Sequence, residues 1–265
     1  MNKLFDDTLK HDDLAWITHL PLEQLGDALG FNEDLSRHGL KQPNDLREWK
    51  MEIGDQPIFR YLYRNLQPKR HLEFGTWEGE GLCYCLEECQ ATAWTINLLE
   101  GETRENGEWA YGTTFSDQEA PTQWAEKLES RDKNQPITWY RTDAYGFIGH
   151  HYRRKNFGPR VNQIYCDSTL WDCSQYPDNF FDTALIDGGH QTCVVISDTQ
   201  KALSVVRSGG IILWHDFCPI VAFDGNNPVV DGVSTAINKL RQELEEKLDC
   251  IYWIEPSYIL IGRKK

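Results

Sequence analysis

Acids and histidines follow two apolar runs of the sequence, in the motifs Asp187-Gly-Gly-His190 and His215-Asp-Phe217. If both runs are strands of one open parallel sheet, these side chains lie at the edge where ligands bind, beyond the carboxyl ends of the strands. Carboxylates and imidazoles can bind a divalent cation there or remove the proton of an acceptor hydroxyl. The alternative is that they cap loops and begin a helix. The predicted catalytic residues are Asp187, His190 and His215, and the predicted metal ligands are Asp187 and Asp216.

A glycine turn follows an earlier apolar run, in His71-Leu-Glu-Phe-Gly-Thr-Trp-Glu-Gly79. Gly75 and Gly79 let the backbone approach a ligand closely because neither carries a Cβ atom. A pyrophosphate-binding turn has the pattern G-x-G-x-x-G, and here Trp77 replaces the middle glycine. A ligand with an ammonium group, such as S-adenosylmethionine, would explain both the wider glycine spacing and Glu73 at the end of the strand. An ordinary strand-to-helix corner is the alternative.

Two further predicted strands end in acids. Glu100 lies about 20 residues past Gly79, where an acid binds ribose hydroxyls, and Glu102 competes for this role. The Asp167 carboxylate can accept a hydrogen bond from the amino group of adenine. Alternatively, it caps the next turn. The predicted cofactor-binding residues are Glu73, Gly75, Thr76, Gly79, Glu100, Asp167, Ser168 and Asp187.

Strands and helices alternate after residue 56, which is typical of a parallel α/β sheet. The strands are predicted at Arg70–Phe74, Thr95–Leu99, Val161–Cys166, Thr183–Ile186 and Ile211–Trp214, and the helices at Ile58–Leu66, Gly81–Cys89, Gln191–Val206 and Val233–Leu248. Two β-rich runs in Ile251–Gly262 predict a terminal hairpin. The predicted fold class is α/β: a Rossmann-like doubly wound sheet in three α/β/α layers, with an antiparallel terminal hairpin strand. A helical N-terminal cap (1–55) is predicted to precede the main domain (56–265), which contains an insertion at 101–160.

The charge and hydropathy of the chain limit the classes of partner that it can bind. A net charge of −14 argues against a nucleic acid as the main partner, because such binders need a basic face. A membrane span needs about 18 consecutive apolar residues, and the sequence has no such run. The first residues also lack the apolar region of a signal peptide. We therefore predict a cytoplasmic protein that acts on a small molecule, and the formation of a homo-oligomer is left open.

The motifs, taken in order, resemble the class I S-adenosylmethionine-dependent methyltransferases. The similarity covers residues 56–265 and is to the small-molecule group that carries D-G-x-H and H-D-[FY] motifs, the methyltransferase domain 24-like proteins. The matching pieces are Glu73–Gly79, Asp167-Ser168, Asp187–His190, Ser208–Gly210, His215–Phe217, Asp231–Val233 and the terminal hairpin. The resemblance implies S-adenosylmethionine as the methyl donor and O-methylation of a small polar acceptor. Catechol-type relatives bind magnesium through an acid and a later Asp-Asn pair, whereas this chain has Asp187 and then His215-Asp216, so a divalent cation such as magnesium is an open alternative.

The resemblance leaves open which group is the base, which segment selects the acceptor, and which alternative functions remain. The base is predicted to be His190 or His215, unless a metal at Asp187 and Asp216 acidifies the acceptor. The insertion is rich in aromatic residues, carries the basic run His150–Lys155, and is predicted to select the acceptor. The alternative functions are a cofactor- or metal-binding tailoring enzyme of another class, similar to antibiotic hydroxylases, and a non-catalytic cofactor-binding module.

Overall fold

Eight strands form one mixed sheet in the part of the chain that the structure describes. The computed structural model of the protein describes residues 9–32, 51–98 and 148–265, with residues 51–53 as backbone only. The strands are β1 (Thr18–Pro21), β2 (Arg70–Phe74), β3 (Thr92–Asn97), β4 (Val161–Tyr165), β5 (Phe181–Ile186), β6 (Val206–Trp214), β7 (Leu248–Glu255) and β8 (Leu260–Lys264). Their order across the sheet is β4-β3-β2-β5-β6-β8-β7-β1.

Helices pack on the sheet in two groups. They are α1 (Leu25–Leu29), α2 (Met51–Leu66), α3 (Glu80–Glu88), α4 (His150–Arg154), α5 (Thr192–Val205), α6 (Pro228–Lys239) and α7 (Arg241–Lys247). Helix α2 packs against α3, and α5 packs against α6. The chain moves outward in opposite directions from β2 and from β5, so right-handed crossovers place α3 and α5 on opposite faces of the sheet. The crevice between β2 and β5, where the direction reverses, is the expected ligand site of such a fold.

The predicted fold class is confirmed, including the terminal hairpin. Strand β8 is antiparallel to both β6 and β7 and lies between them. The other five strand pairs of the described sheet are parallel: the four between β4 and β6, and β7 with β1. The end of the chain therefore folds back into the sheet beside β6.

The predicted N-terminal cap contains a strand as well as helical turns. Strand β1 pairs in parallel with β7, from Thr18 opposite Tyr252 to Pro21 opposite Glu255. The described cap residues therefore form one strand beside their helical turns, and the predicted boundary at residue 55 falls inside α2. Local periodicity could not indicate β1, because a strand of four residues is short and its partner comes much later in the chain.

Other element boundaries shift by a few residues. Strand β3 begins three residues earlier than predicted and ends at Asn97. The predicted helix Val233–Leu248 is two helices that meet at Leu240, and β7 begins at Leu248 itself. Most of the predicted insertion, residues 101–147, lies outside the described residues.

The central strands form a firm base for the ligand edge. Leu72, Phe74, Leu213 and Trp214 are almost completely buried, as expected where helices cover both faces of a parallel sheet. The Trp214 indole N–H donates to Thr199 Oγ1 of α5 at 2.9 Å, which fixes the end of β6. Among the described residues, no helix has the length and apolar character needed to cross a membrane.

Candidate active site

The two acid–histidine motifs come together at the carboxyl ends of β5 and β6. These strands are parallel neighbours, with Ile186 opposite Trp214, so the residues that follow them are adjacent. One ligand atom from each of Asp187, His190 and Asp216 can be chosen so that all three lie within 4.8 Å of one another. We call these three residues the acid–histidine cluster. The predicted metal ligands Asp187 and Asp216 are both in it, and His190 is a third donor.

His190 and Asp216 form a close pair within the cluster. His190 Nε2 lies 2.7 Å from Asp216 Oδ2. Burial alone would lower the pKa of His190, but the nearby Asp216 carboxylate outweighs it and raises that pKa. Burial alone would raise the pKa of Asp216, but His215 and His190 lower it. Asp216 also has a φ of 58°, a left-handed conformation that costs energy in a residue other than glycine and is often found at functional sites.

His215 lies between two carboxylates. Its Nδ1 is 3.1 Å from Asp187 Oδ1, and its Nε2 is 3.1 Å from Asp55 Oδ2. An ionised carboxylate only accepts hydrogen bonds, so two ionised partners favour a ring that carries a proton on both nitrogens. Burial would lower the pKa of His215, but the surrounding charges, Asp216 and Asp187 first, raise it well above its usual value. A ring in that state has no free nitrogen that could take the proton of a substrate hydroxyl.

Asp55 is a site residue that the sequence did not reveal. It belongs to α2, is 1% exposed, and contacts a histidine that comes 160 positions later in the chain. Asp55 lies in the predicted cap and no recognisable motif surrounds it, so the sequence does not indicate a role in the site. Only the packing of α2 against the end of β6 brings Asp55 to the site.

The glycine turn after β2 contacts the acid–histidine cluster directly. Gly75 has a φ of +95°, and a Cβ atom there would lie 2.0 Å from the carbonyl oxygen of Asp187. Hydrogen bonds on both sides hold this contact, from Gly75 N to Ile96 O and from Asp187 N to Phe74 O, each 2.9 Å. The predicted turn and the predicted chemical centre are thus one continuous site.

Asn97 at the end of β3 holds the same turn from the other side. Its Oδ1 accepts hydrogen bonds from the backbone N–H groups of Thr76 and Trp77, each at 3.0 Å. A pyrophosphate-binding turn offers such N–H groups to its ligand, whereas here the protein itself uses them. This agrees with the glycine spacing in disfavouring a dinucleotide. Nothing in the sequence around Asn97 indicates this role.

Gly79 and α4 close the far end of the turn. Gly79 begins α3 with a φ of +83°, and a Cβ atom there would lie 2.8 Å from the Tyr152 ring. The backbone N–H of Gly149 donates to Trp77 O at 2.7 Å, and the His151 ring lies 3.1 Å from Glu78. The end of the predicted insertion therefore packs on the predicted cofactor turn.

Glu73 lies beneath the turn. Its carboxyl group is 1% exposed and accepts a hydrogen bond from Thr95 Oγ1 at 2.7 Å. The pKa of Glu73 is raised to about 8, mainly by burial, with the Thr95 hydrogen bond opposing the increase and the charge of Asp187 adding to it. The structure thus gives Glu73 an internal partner, and its contact with a ligand ammonium stays a prediction.

Replacing Glu73 by Gln is expected to remove a pH dependence of stability. The pKa is about 8 in the folded protein against 4.5 normally, so Glu73 keeps its proton on folding and its contribution to stability falls as pH rises between these values. Gln cannot ionise, so the variant should match the wild type near pH 5 and become relatively more stable toward pH 8, by at most about 1.4 kcal/mol per pH unit. Urea unfolding at several pH values measures this difference, and a constant difference would contradict the shift.

Asp167 and Ser168 lie beyond β4, where they were predicted. Asp167 Oδ1 accepts hydrogen bonds from Thr169 N at 2.9 Å and Thr169 Oγ1 at 2.8 Å, so it caps the next turn as the alternative interpretation expected. Ser168 Oγ donates to buried Asp198 of α5 at 3.1 Å. Their contact with a nucleoside stays a prediction. Glu100 and its competitor Glu102 lie outside the described residues.

Comparisons with known proteins support the fold and identify a family. The profile of a family described as methyltransferase domain matches residues 72–217. The Podospora anserina methyltransferase PaMTH1, solved with S-adenosylhomocysteine, is 14% identical, with 96% of this chain and 92% of that chain covered and a TM-score of 0.50. A Bacillus cereus O-methyltransferase, also solved with S-adenosylhomocysteine, is 14% identical, with 91% and 96% covered and a TM-score of 0.46. The first likeness supports the fold alone. No curated protein sequence matches this chain.

Proposed function

Because this chain belongs to the methyltransferase-domain family, we propose that it transfers a methyl group from S-adenosylmethionine to a hydroxyl oxygen of a small polar acceptor. The observation that supports this most is the contact between the glycine turn and the acid–histidine cluster, since Gly75 touches the backbone of Asp187. A donor bound on the turn would present its methyl group to an acceptor at the cluster. PaMTH1, a protein of similar fold, was solved with S-adenosylhomocysteine, the product that such a donor leaves.

The donor would bind over the turn that Gly75 and Gly79 open. We propose that Asp167 and Ser168 contact its adenine, that Glu100 binds its ribose, and that Thr76 and Glu73 support its amino-acid end. Buried Glu73 needs a local rearrangement, or a bridging water, to reach an ammonium group. The exposed Trp77 ring offers an aromatic face beside a sulfonium cation.

The transfer itself is a substitution at carbon. The acceptor oxygen attacks the methyl carbon in line with its bond to sulfur, the new carbon–oxygen bond forms as the carbon–sulfur bond breaks, and the electron pair stays on sulfur. The sulfonium charge is neutralised, and the acceptor must lose its hydroxyl proton. Holding both reactants in this line can remove about 7–11 kcal/mol of the barrier.

The acid–histidine cluster suits a divalent cation. Two carboxylates and one imidazole lie close enough to share an ion, and Asp216 is held inward by its buried position. Asp187, His190 and Asp216 would hold it, and a bound cation would lower the pKa of the acceptor hydroxyl. In a site without a cation, His190, paired with Asp216, would receive the proton. His215 is unsuited to that role because both of its nitrogens face carboxylates.

Labelled methyl transfer tests the proposed function. S-adenosylmethionine with a labelled methyl group is incubated with the protein and a panel of simple catechols, phenols and sugars. We expect label in a product of at least one acceptor, and we expect a chelator to lower the rate at least about tenfold, with recovery on adding magnesium. A rate that ignores the chelator would assign the proton to His190. Binding of the donor without transfer to any acceptor would favour a non-catalytic module.

A further inference from the structure

We propose that Asp55 is a positioning residue of this active site, which acts through His215 on Asp187. The inference rests on the proposed function, because it concerns the same acid–histidine cluster. Asp55 lies on α2, outside the residues 72–217 that match the methyltransferase family. The inference therefore extends the functional machinery to a helix that the sequence divided between a cap and the main domain.

Three elements meet at the Asp55 carboxylate. Its Oδ2 lies 3.1 Å from Nε2 of His215, at the end of β6. Both of its oxygens lie 3.3 Å from the backbone N–H of Tyr258, in the turn between β7 and β8. The carboxylate is 1% exposed, so little water is available to replace either partner. Asp55 thus connects α2 to the terminal hairpin and to the ligand edge.

The rigid imidazole ring transmits this position to Asp187. The ring of Phe59, one helical turn after Asp55, packs edge-on against His215 with the ring centres 5.5 Å apart. With Nε2 held by Asp55 and one ring edge held by Phe59, Nδ1 points at Asp187 Oδ1, 3.1 Å away. The ring cannot turn without breaking at least one of these contacts.

Asp187 needs such support more than Asp216, the other carboxylate of the cluster. Its side chain is 30% exposed, whereas that of Asp216 is 9% exposed. Two glycines follow it in the sequence, so the chain beyond it is intrinsically permissive. A partner that orients a reacting or metal-binding carboxylate commonly changes affinity or activity by about 10- to 100-fold when it is removed.

A purely structural role of Asp55 is the competing explanation, because Asp55 also accepts the Tyr258 N–H. A double-mutant cycle separates the two roles. If Asp55 acts through His215, its removal should have no further effect on turnover once His215 is replaced. If it only supports the hairpin, its effect should be the same in both backgrounds.

The experiment compares Asp55→Ala, Asp55→Asn, His215→Gln and the double variant Asp55→Ala/His215→Gln. Turnover is measured with an acceptor from the labelled-transfer panel, and S-adenosylhomocysteine binding by calorimetry. We expect Asp55→Ala to lower kcat about 10- to 100-fold while the KM for the donor and the Kd of S-adenosylhomocysteine change less than about threefold. Asp55→Asn should recover most of the loss, because its amide oxygen still accepts from Nε2. In the His215→Gln background, Asp55→Ala should change kcat less than about twofold.

Asp182→Ala is the matched control for structural damage. Asp182 also accepts backbone N–H groups, of Lys69 and Arg70, but it lies at the opposite end of β5 from the cluster. Its loss should lower the melting temperature and leave kcat unchanged. An unchanged kcat in Asp55→Ala, or equal effects of that change in both backgrounds, would overturn the inference.

A readout without an acceptor keeps the two proposals distinguishable. In protein labelled with ¹⁵N-histidine, the ring signals of His215 are assigned by their loss in His215→Gln. We expect Asp55→Ala to shift both of these nitrogen signals, and His215 signals that do not respond would overturn the inference. A wild-type protein that neither binds S-adenosylhomocysteine nor transfers methyl groups would instead refute the proposed function, and with it any role of Asp55 in transfer.

Discussion

Asp187→Ala is expected to reduce methyl transfer at least about 100-fold while the protein still binds S-adenosylhomocysteine. Asp187 contributes a carboxylate to the acid–histidine cluster and holds Nδ1 of His215 at 3.1 Å. Its loss removes one cluster member and leaves a buried charged ring without one of its two partners. The backbone carbonyl of Asp187, which contacts Gly75, is unchanged by the substitution, so the glycine turn after β2 should keep its shape.

Steady-state rates with labelled donor and calorimetry with S-adenosylhomocysteine measure the two effects separately. Asp249→Ala, which removes an exposed acid from β7, is the control for the change in net charge and should behave as the wild type. Asp187→Asn keeps the shape and removes the charge, so it should resemble Asp187→Ala if charge is what matters. Turnover that survives in Asp187→Ala would show that the cluster is not the chemical centre.

Gly75→Ala is expected to abolish both binding and transfer. The added Cβ atom would lie 2.0 Å from the carbonyl oxygen of Asp187 and 2.6 Å from Cα of Gly188, and both are backbone atoms that cannot move aside as a flexible side chain can. The φ of +95° adds conformational strain. The turn after β2 and the start of the cluster must therefore separate, and we expect a loss of more than about 3 kcal/mol in the free energy of unfolding.

Gly30→Ala provides the matched control. Gly30 ends α1 with a φ of +74°, and a Cβ atom there would meet nothing within 4 Å. That variant should lose only the cost of a left-handed alanine, about 1 kcal/mol, and should bind S-adenosylhomocysteine normally. Urea unfolding and calorimetry of both variants provide the comparison. Similar losses in the two proteins would show that strain, and not the contact with Asp187, accounts for the effect.

The sequence predicts those parts of the site that follow strands directly. Asp187 and His215 come immediately after apolar runs, and parallel strands carry such residues to one edge whatever the exact strand boundaries are. The glycine turn is equally local, because the missing Cβ atoms and the departure from G-x-G-x-x-G are visible in the residues themselves. For that reason the fold class and the pairing of the two motifs could be predicted.

The sequence does not predict contacts that depend on distant packing. Asp55 reaches His215 only because tertiary packing brings α2 to the residue that follows β6, and β1 is a strand only because β7 lies next to it. Asn97 reads as an ordinary residue near the end of a strand, and its role depends on the N–H groups of a turn 20 positions earlier. The state of His215 was also hidden, because one of its two carboxylate partners was unknown.

Calorimetric titration of the wild-type protein with S-adenosylhomocysteine, with magnesium and then with a chelator, tests whether the glycine turn is a binding site for the methyl donor. The glycine turn and the acid–histidine cluster predict one binding site per chain. The site should saturate at micromolar concentrations of S-adenosylhomocysteine and should be absent from Gly75→Ala. Binding should persist in the chelator, because the donor contacts proposed for the glycine turn, Glu100, Asp167 and Ser168 do not need a cation. A folded wild-type protein that shows no heat of binding under either condition would refute the assignment of the glycine turn as a methyl-donor site.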